Sequence, residues 1–220
     1  MKLIGELYFP DSEQHFMQYG EAIGAYQKPQ RDKALEYVTN WETCIDVGAN
    51  VGIFSRHFAT RFIKVVAIEP VAENVACLEL NVPSNVEIMK IAVGEEARSI
   101  HIQRTPKNVG GAFVCDHALV DCPIPADNPD MIEEVQMVTI DSLDLKAVGL
   151  VKLDIQGSEL IALRGSSETL LRCRPVVLIE EKPIGGKGGS IDHIAMASEF
   201  LIGLGMHPRE KVGADRIYAF

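Results

Sequence analysis

This sequence lacks most of what marks a membrane, secreted, nucleic-acid-binding or zinc protein. No apolar run approaches the roughly 18–20 residues needed to span a bilayer. The opening Met1-Lys2-Leu3-Ile4-Gly5-Glu6 is too short and too soon acidic for a signal peptide. The cysteines at 44, 77, 115, 122 and 173 include no C-x-x-C pair, and five cannot all pair within one chain. Reduced thiols in a cytoplasmic protein are therefore expected. Basic residues are scarce: 21 Lys and Arg against 31 Asp and Glu leave a net charge of −10. That balance disfavours nucleic acid as substrate, because a broad phosphate-binding surface needs the opposite sign. With no H-x-x-x-H or H-E pair, a zinc hydrolase is unsupported. The one metal-like cluster, Cys115-Asp116-His117 with Asp121 and Cys122, has a spacing that fits no common site, so no metal is expected. There is no internal repeat. The glycine-rich Gly185-Gly186-Lys187-Gly188-Gly189 lacks the G-K-[ST] that a phosphate loop needs and reads as a flexible connection.

What is present is a chain of 220 residues, 47% hydrophobic, long enough to bury one proper core. Residues 1–40 read as an N-terminal arm and helix packed on a main domain, 41–220, with Pro29 opening that helix. From Thr43 the pattern alternates. Strands are expected at Thr43–Val47, Ile63–Ile68, Val86–Val93, Leu150–Ile155, Pro175–Ile179 and Arg216–Phe220. Helices are expected at Gly52–Thr60, Ala72–Asn81, Ser158–Leu171 and Ile191–Leu204. The apolar runs show little polar alternation, as in strands buried on both faces. The expectation is a doubly wound α/β fold: a Rossmann-like, mostly parallel seven-stranded sheet with helices on both faces. Between Glu95 and Gln136 the rhythm breaks into two alternating stretches around a proline- and aspartate-rich segment. This reads as an inserted β hairpin with a long loop, a lid above the sheet.

The chemistry centres on Asp46-Val47-Gly48-Ala49-Asn50-Val51-Gly52, where a strand ends in a glycine turn before a helix. Such a turn lets a ligand approach backbone without a Cβ in the way. A dinucleotide fingerprint, G-x-G-x-x-G, fails here, since Asn50 holds its second glycine position and its third falls beside Phe54. Asp46 would also repel a pyrophosphate. It suits a ligand with an ammonium group, and S-adenosylmethionine carries one, plus a sulfonium and no phosphate. Glu69 closes the second strand about 20 residues on, where nucleoside binders place a carboxylate for both ribose hydroxyls. Pro70 and Val71 then border the adenine, with Ala92 and Val93 opposite.

At the end of the fourth strand comes Val151-Lys152-Leu153-Asp154-Ile155-Gln156-Gly157-Ser158-Glu159. Asp154 falls on the carboxyl edge of the sheet, where ligands bind in open α/β folds. It is a candidate for orienting an acceptor hydroxyl or taking its proton, and a further ligand to the cofactor. Glu159, in the first turn of the next helix, is the second catalytic candidate, although the helix dipole alone accounts for a carboxylate there. Lys152 reads as structural.

Together with Ala67-Ile68-Glu69-Pro70 and Thr139-Ile140-Asp141-Ser142-Leu143, these blocks resemble the signature of the FkbM family of S-adenosylmethionine-dependent methyltransferases, from about Thr43 to about Glu180. Gln156 departs from it, since an acidic residue is more usual there. The resemblance implies a class I methyltransferase sheet, S-adenosylmethionine as cofactor, and O-methylation of a hydroxyl on a sugar, glycan or small natural product. A nucleotide-dependent oxidoreductase and a non-catalytic module of the same fold are the competing readings. The acceptor is not written in the motifs, and the oligomeric state, a homodimer included, stays open.

Overall fold

The computed structural model describes residues 1–115, 131–182 and 192–220, with the backbone alone at Asp192. Its framework is a seven-stranded sheet. The first strands form a separate hairpin, β1 (Lys2–Ile4) with β2 (Leu7–Phe9). A 3-10 segment at Phe16–Ala25 and helix α1 (Lys28–Glu36) lead into β3 (Thr43–Val47). Then follow α2 (Ile53–Phe58), β4 (Lys64–Ile68), α3 (Ala72–Asn81) and β5 (Val86–Met89). After an excursion the chain returns as β10 (Val148–Leu153), α4 (Glu159–Arg164), α5 (Ser167–Cys173) and β11 (Val176–Glu180). It ends with α6 (Asp192–Gly203), β12 (His207–Val212) and β13 (Asp215–Ala219). The sheet order is β12-β13-β11-β10-β3-β4-β5.

Strand alternation explains why helices cover both faces. Ile45, Val47, Val151, Leu153, Val177 and Ile179 pack with Ala162, Leu163, Leu170 and Leu201 on one side. Cys44, Leu150, Val176 and Leu178 pack with Ala34, Val38, Phe54 and Phe58 on the other. A strand buried on both faces has no polar side to show, hence the unbroken apolar runs.

The sheet is mixed rather than mostly parallel throughout. The five strands from β5 to β11 run parallel, but β13 is antiparallel to both β11 and β12. For β12 and β13 the cause is the two-residue connection from Val212 to Asp215, with Gly213 at φ +63°, because a turn that short joins only antiparallel strands. Strand β12, His-Pro-Arg-Glu-Lys-Val, escaped the sequence reading because it is a charged, proline-bearing edge. The single helix expected at Ser158–Leu171 is two helices. A Cβ on Gly165 would lie 1.9 Å from the Gly94 carbonyl oxygen, so the chain is pinched there.

The strand expected at Val86–Val93 also divides. Ala92–Val93, as β6, leaves the main sheet for a second one of order β6-β9-β7-β8, built from β7 (Arg98–Gln103), β8 (Phe113–Val114) and β9 (Ile132–Val138). The insertion is therefore a small sheet of its own. Residues 116–130 of it, and the glycine segment 185–189, lie outside the described residues, as do Asp116, His117, Asp121 and Cys122 of the metal-like cluster. Among the described residues Cys44, Cys77 and Cys173 are free thiols, no group of side chains is arranged to hold a metal ion, and no helix is long and apolar enough to cross a membrane.

Candidate active site

Four adjacent parallel strands, β4, β3, β10 and β11, end on the same edge, and a cavity of about 220 Å³ opens above them. At the end of β3 the chain turns through Gly48 at φ +74°. A Cβ there would stand 2.0 Å from the Asp154 carbonyl oxygen, so only glycine lets these two strand ends meet. The amides of Gly48 and Ala49 donate to Ile68 O, both at 3.0 Å, tying the turn to β4.

Glu69 follows β4 and is buried against the turn. Its Oε2 accepts the Asn50 amide at 2.8 Å, and its Oε1 accepts the Val71 amide at 3.0 Å and Asn74 Nδ2 at 3.1 Å. A carboxylate has about four acceptor positions, and three of Glu69's are filled by protein, leaving room on Oε2. Burial raises its pKa to about 6, while these donors hold it down, so it is mainly ionised at neutral pH. Asn50, held at φ +52°, lines the cavity with its Oδ1 buried and unpartnered. Pro70, Ile91, Ala92 and Val93 supply apolar wall.

At the other end, Asp154 follows β10. Gln156 Nε2 donates to Asp154 Oδ1 at 3.0 Å and to Glu180 Oε2 at 3.1 Å, bridging two carboxylates. Lys182 caps Glu180 Oε1. The roof comes from elsewhere in the chain: His15, Phe16 and Tyr26 from the arm, Asn108 to Val114 from the insertion. Glu13 latches the two roof pieces, its Oε1 accepting from the Phe16 amide at 2.6 Å and its Oε2 from the Val109 amide at 2.9 Å. The buried Arg31 guanidinium ties the arm to α2 through the carbonyls of Gly24, Tyr26 and Ile53.

Residues 46–201 match the methyltransferase FkbM domain family. The chain belongs to that family. No curated protein sequence matches it. An FkbM methyltransferase from Methylobacillus flagellatus KT superposes with a TM-score of 0.54 at 17% identity, over 94% of this chain and 55% of that one. This chain thus spans about half that protein's length, and the likeness speaks for the fold. A precorrin-6y C5,15-methyltransferase from Geobacter metallireducens GS-15 gives a TM-score of 0.48 at 12% identity, over 98% of this chain and 94% of that one.

Within this FkbM domain, Gly48, Asn50, Glu69, Pro70, Ala92 and Asp154 all line the one cavity. Three other sequence candidates do not. Asp46 was expected to face an ammonium group, but it is 0% exposed, accepting from Ser55 Oγ at 2.6 Å and ion-paired with Lys152 Nζ at 3.1 Å. Strand parity is the reason. Asp46 alternates with Ile45 and Val47, stands beside Lys152 in register, and so points under the edge, toward α2. Gly52, at φ +94°, makes room for Leu78 and Val82, which a Cβ would approach to 2.6 and 2.8 Å, and it does not reach the cavity. Glu159 turns back onto its own loop, accepting from the amides of Ile155 at 3.0 Å and Gly157 at 3.1 Å. Lys152 is the staple the sequence suggested, donating to Gly48 O at 2.8 Å, though it also reaches the cavity wall.

Glu180 and Lys182 were not anticipated. Glu180 carried the same signal as Glu69, a carboxylate ending a buried apolar strand. Tyr26 belongs to the aromatic-rich arm expected to pack on the main domain, and only the fold brings it to the cavity.

Proposed function

We propose that this chain transfers a methyl group from S-adenosylmethionine to a hydroxyl of a sugar, glycan or small natural product. The observation that carries the reading is the composition of the cavity along the strand ends. Glu69, Asp154 and Glu180 line it, while Lys152 and Lys182 are each already paired with a carboxylate. Such a site suits a cationic ligand without phosphate and opposes a pyrophosphate. The family match favours the same reading over a nucleotide-dependent oxidoreductase.

The residues present fit that cofactor. The free acceptor position on Glu69 Oε2 and the orphaned Asn50 Oδ1 await donors, which ribose hydroxyls supply. The glycine turn at Gly48 keeps backbone bare, and Pro70 and Ala92 offer apolar surface to a base. S-adenosylmethionine, when bound, supplies a methyl carbon already activated by its sulfonium sulfur. What remains for the protein is to align the acceptor, exclude water and receive a proton. Asp154, fixed by Gln156 at the cavity wall, is placed to orient the hydroxyl. His15, Phe16 and Tyr26 of the arm, with Asn108, Val109, Phe113 and Val114 of the insertion, form the wall against which an acceptor packs. The net charge of −10 supports a small or glycan acceptor over a nucleic acid.

Isothermal titration with S-adenosylhomocysteine tests this reading. Binding in the micromolar range is expected, and no heat of binding at near-millimolar ligand would overturn it.

A further inference from the structure

At the β11 end of the cavity, three carboxylates gather where one would suffice. Glu180 is buried at the strand end, Asp154 faces it across Gln156, and Asp215 is its register partner on β13. Asp215 is itself buried with Oδ2 unpartnered. The cations nearby are weak compensation. Lys152 is committed to Asp46, and the Lys182 side chain is 55% exposed, so water screens its pairing with Glu180. Glu159 and His193 line a small cleft on the other side of Glu180 and bring it no hydrogen bond.

We propose that Glu180 is the proton-carrying catalytic residue of this site: it holds a proton, facing Asp154, until a cationic methyl donor enters, and is then the base that receives the acceptor's proton. Gln156 supports the arrangement geometrically. Its backbone sits at φ +53°, and its one amide nitrogen reaches both carboxylates, holding them close enough that both ionise only at high cost. The titration of the group agrees. Burial first, and then the Asp154 charge, push Glu180 up to about 8, against the pull of Lys182. Asp215 rises to about 7 from burial and the same Asp154 charge. Tyr26, across the cavity, is pushed by burial to about 12 and stays protonated, which removes it as the base.

In this account the donor's positive charge replaces the proton on Glu180, which leaves to solvent. The acceptor oxygen then gives its proton to Glu180 and gains the methyl carbon, while the bonding pair of the broken carbon–sulfur bond stays on sulfur. Glu180 thus ends the turnover protonated, as it began.

The inference rests on S-adenosylmethionine being the donor, and its test separates the two claims. S-adenosylmethionine carries the sulfonium charge; S-adenosylhomocysteine does not. Both are titrated calorimetrically into the whole protein, in phosphate and in Tris, between pH 6 and pH 8. The charged donor should release most of a proton, so its Kd tightens toward tenfold per pH unit, while that of S-adenosylhomocysteine stays flat. In Glu180→Gln the slope for the donor should vanish while S-adenosylhomocysteine still binds, which also reports an intact fold. Equal proton release by both ligands in the wild type, a comparison that needs no variant, overturns the proposal, as does a slope that survives in Glu180→Gln. Failure of both ligands to bind overturns the reading of the cofactor itself.

Discussion

The two ends of the cavity solve one problem in opposite ways. Glu69 and Glu180 each follow a buried parallel strand, each is nearly inaccessible to water, and each meets the ligand space. Around Glu69 the neighbours are donors: two backbone amides and the Asn74 amide. Around Glu180 the exposed Lys182 caps Oε1, but a second carboxylate, Asp154, stands opposite, and only the part-buried Gln156 amide is shared between the two acids. Equal burial therefore gives a pKa of about 6 at one end and about 8 at the other. Near pH 7 the first is an ionised acceptor of fixed geometry and the second holds a proton. Burial sets the cost of charge; the neighbours decide whether charge is kept.

Lys152 stands between the ends, and removing it should have the largest effect. Its ammonium answers Asp46 and also lowers the pKa of Glu69 and Asp215. Lys152→Met would leave Asp46 buried with Ser55 as its remaining polar partner, and breaking a buried pair by deleting one member costs about 3–5 kcal/mol. The midpoint of urea denaturation should fall accordingly. A loss below about 1 kcal/mol would mean that Asp46 is solvated and free to face a ligand after all.

The next effect breaks the donor end alone. Glu69→Gln keeps the shape but places an NH2 where either the Asn50 amide or the Val71 and Asn74 amides point, so a donor meets a donor whichever way the amide turns. The loss should be about 2 kcal/mol, or roughly 30-fold weaker S-adenosylhomocysteine binding by calorimetry. The contrast with Glu180→Gln is the informative part. If both substitutions weaken this ligand, which lacks the sulfonium, equally, the ends are not specialised.

Much of this contrast was legible in the residues, and the part that was not has a physical cause. The glycine turn could be read because Gly48, at φ +74°, is demanded by the local passage from strand to helix. Glu69 could be read because its spacing from that turn is set by one strand–helix–strand unit. The sheet could be read because its central strands are apolar on both faces, whereas β12 could not, since an edge strand needs no apolar pattern. Asp46 was misread for want of strand parity: two residues after Cys44, it belongs to the face that packs on α2. The Glu180 end was hardest. Tyr26 and Glu180 line one cavity only through the fold, and the Glu13 latch joins segments 96 positions apart.

The smallest effect sharpens the comparison by removing a carboxylate of the Glu69 kind that does not meet the cavity. Glu159 is buried at the start of α4, its pKa raised by burial while the amides of Ile155 and Gly157 pull against that rise. In Glu159→Gln the amide oxygen can accept from both N–H groups, and nothing is lost but a charge that burial already disfavours and that Asp154 repels. Stability should change by about 0.5–1 kcal/mol, as for one ordinary hydrogen bond, and S-adenosylhomocysteine affinity should stay within about twofold of wild type. A large loss of binding would put Glu159 among the ligand contacts. A small one would show that hydrogen-bonded burial makes a carboxylate structural, and that Glu69 differs by the acceptor position it leaves open to the cavity.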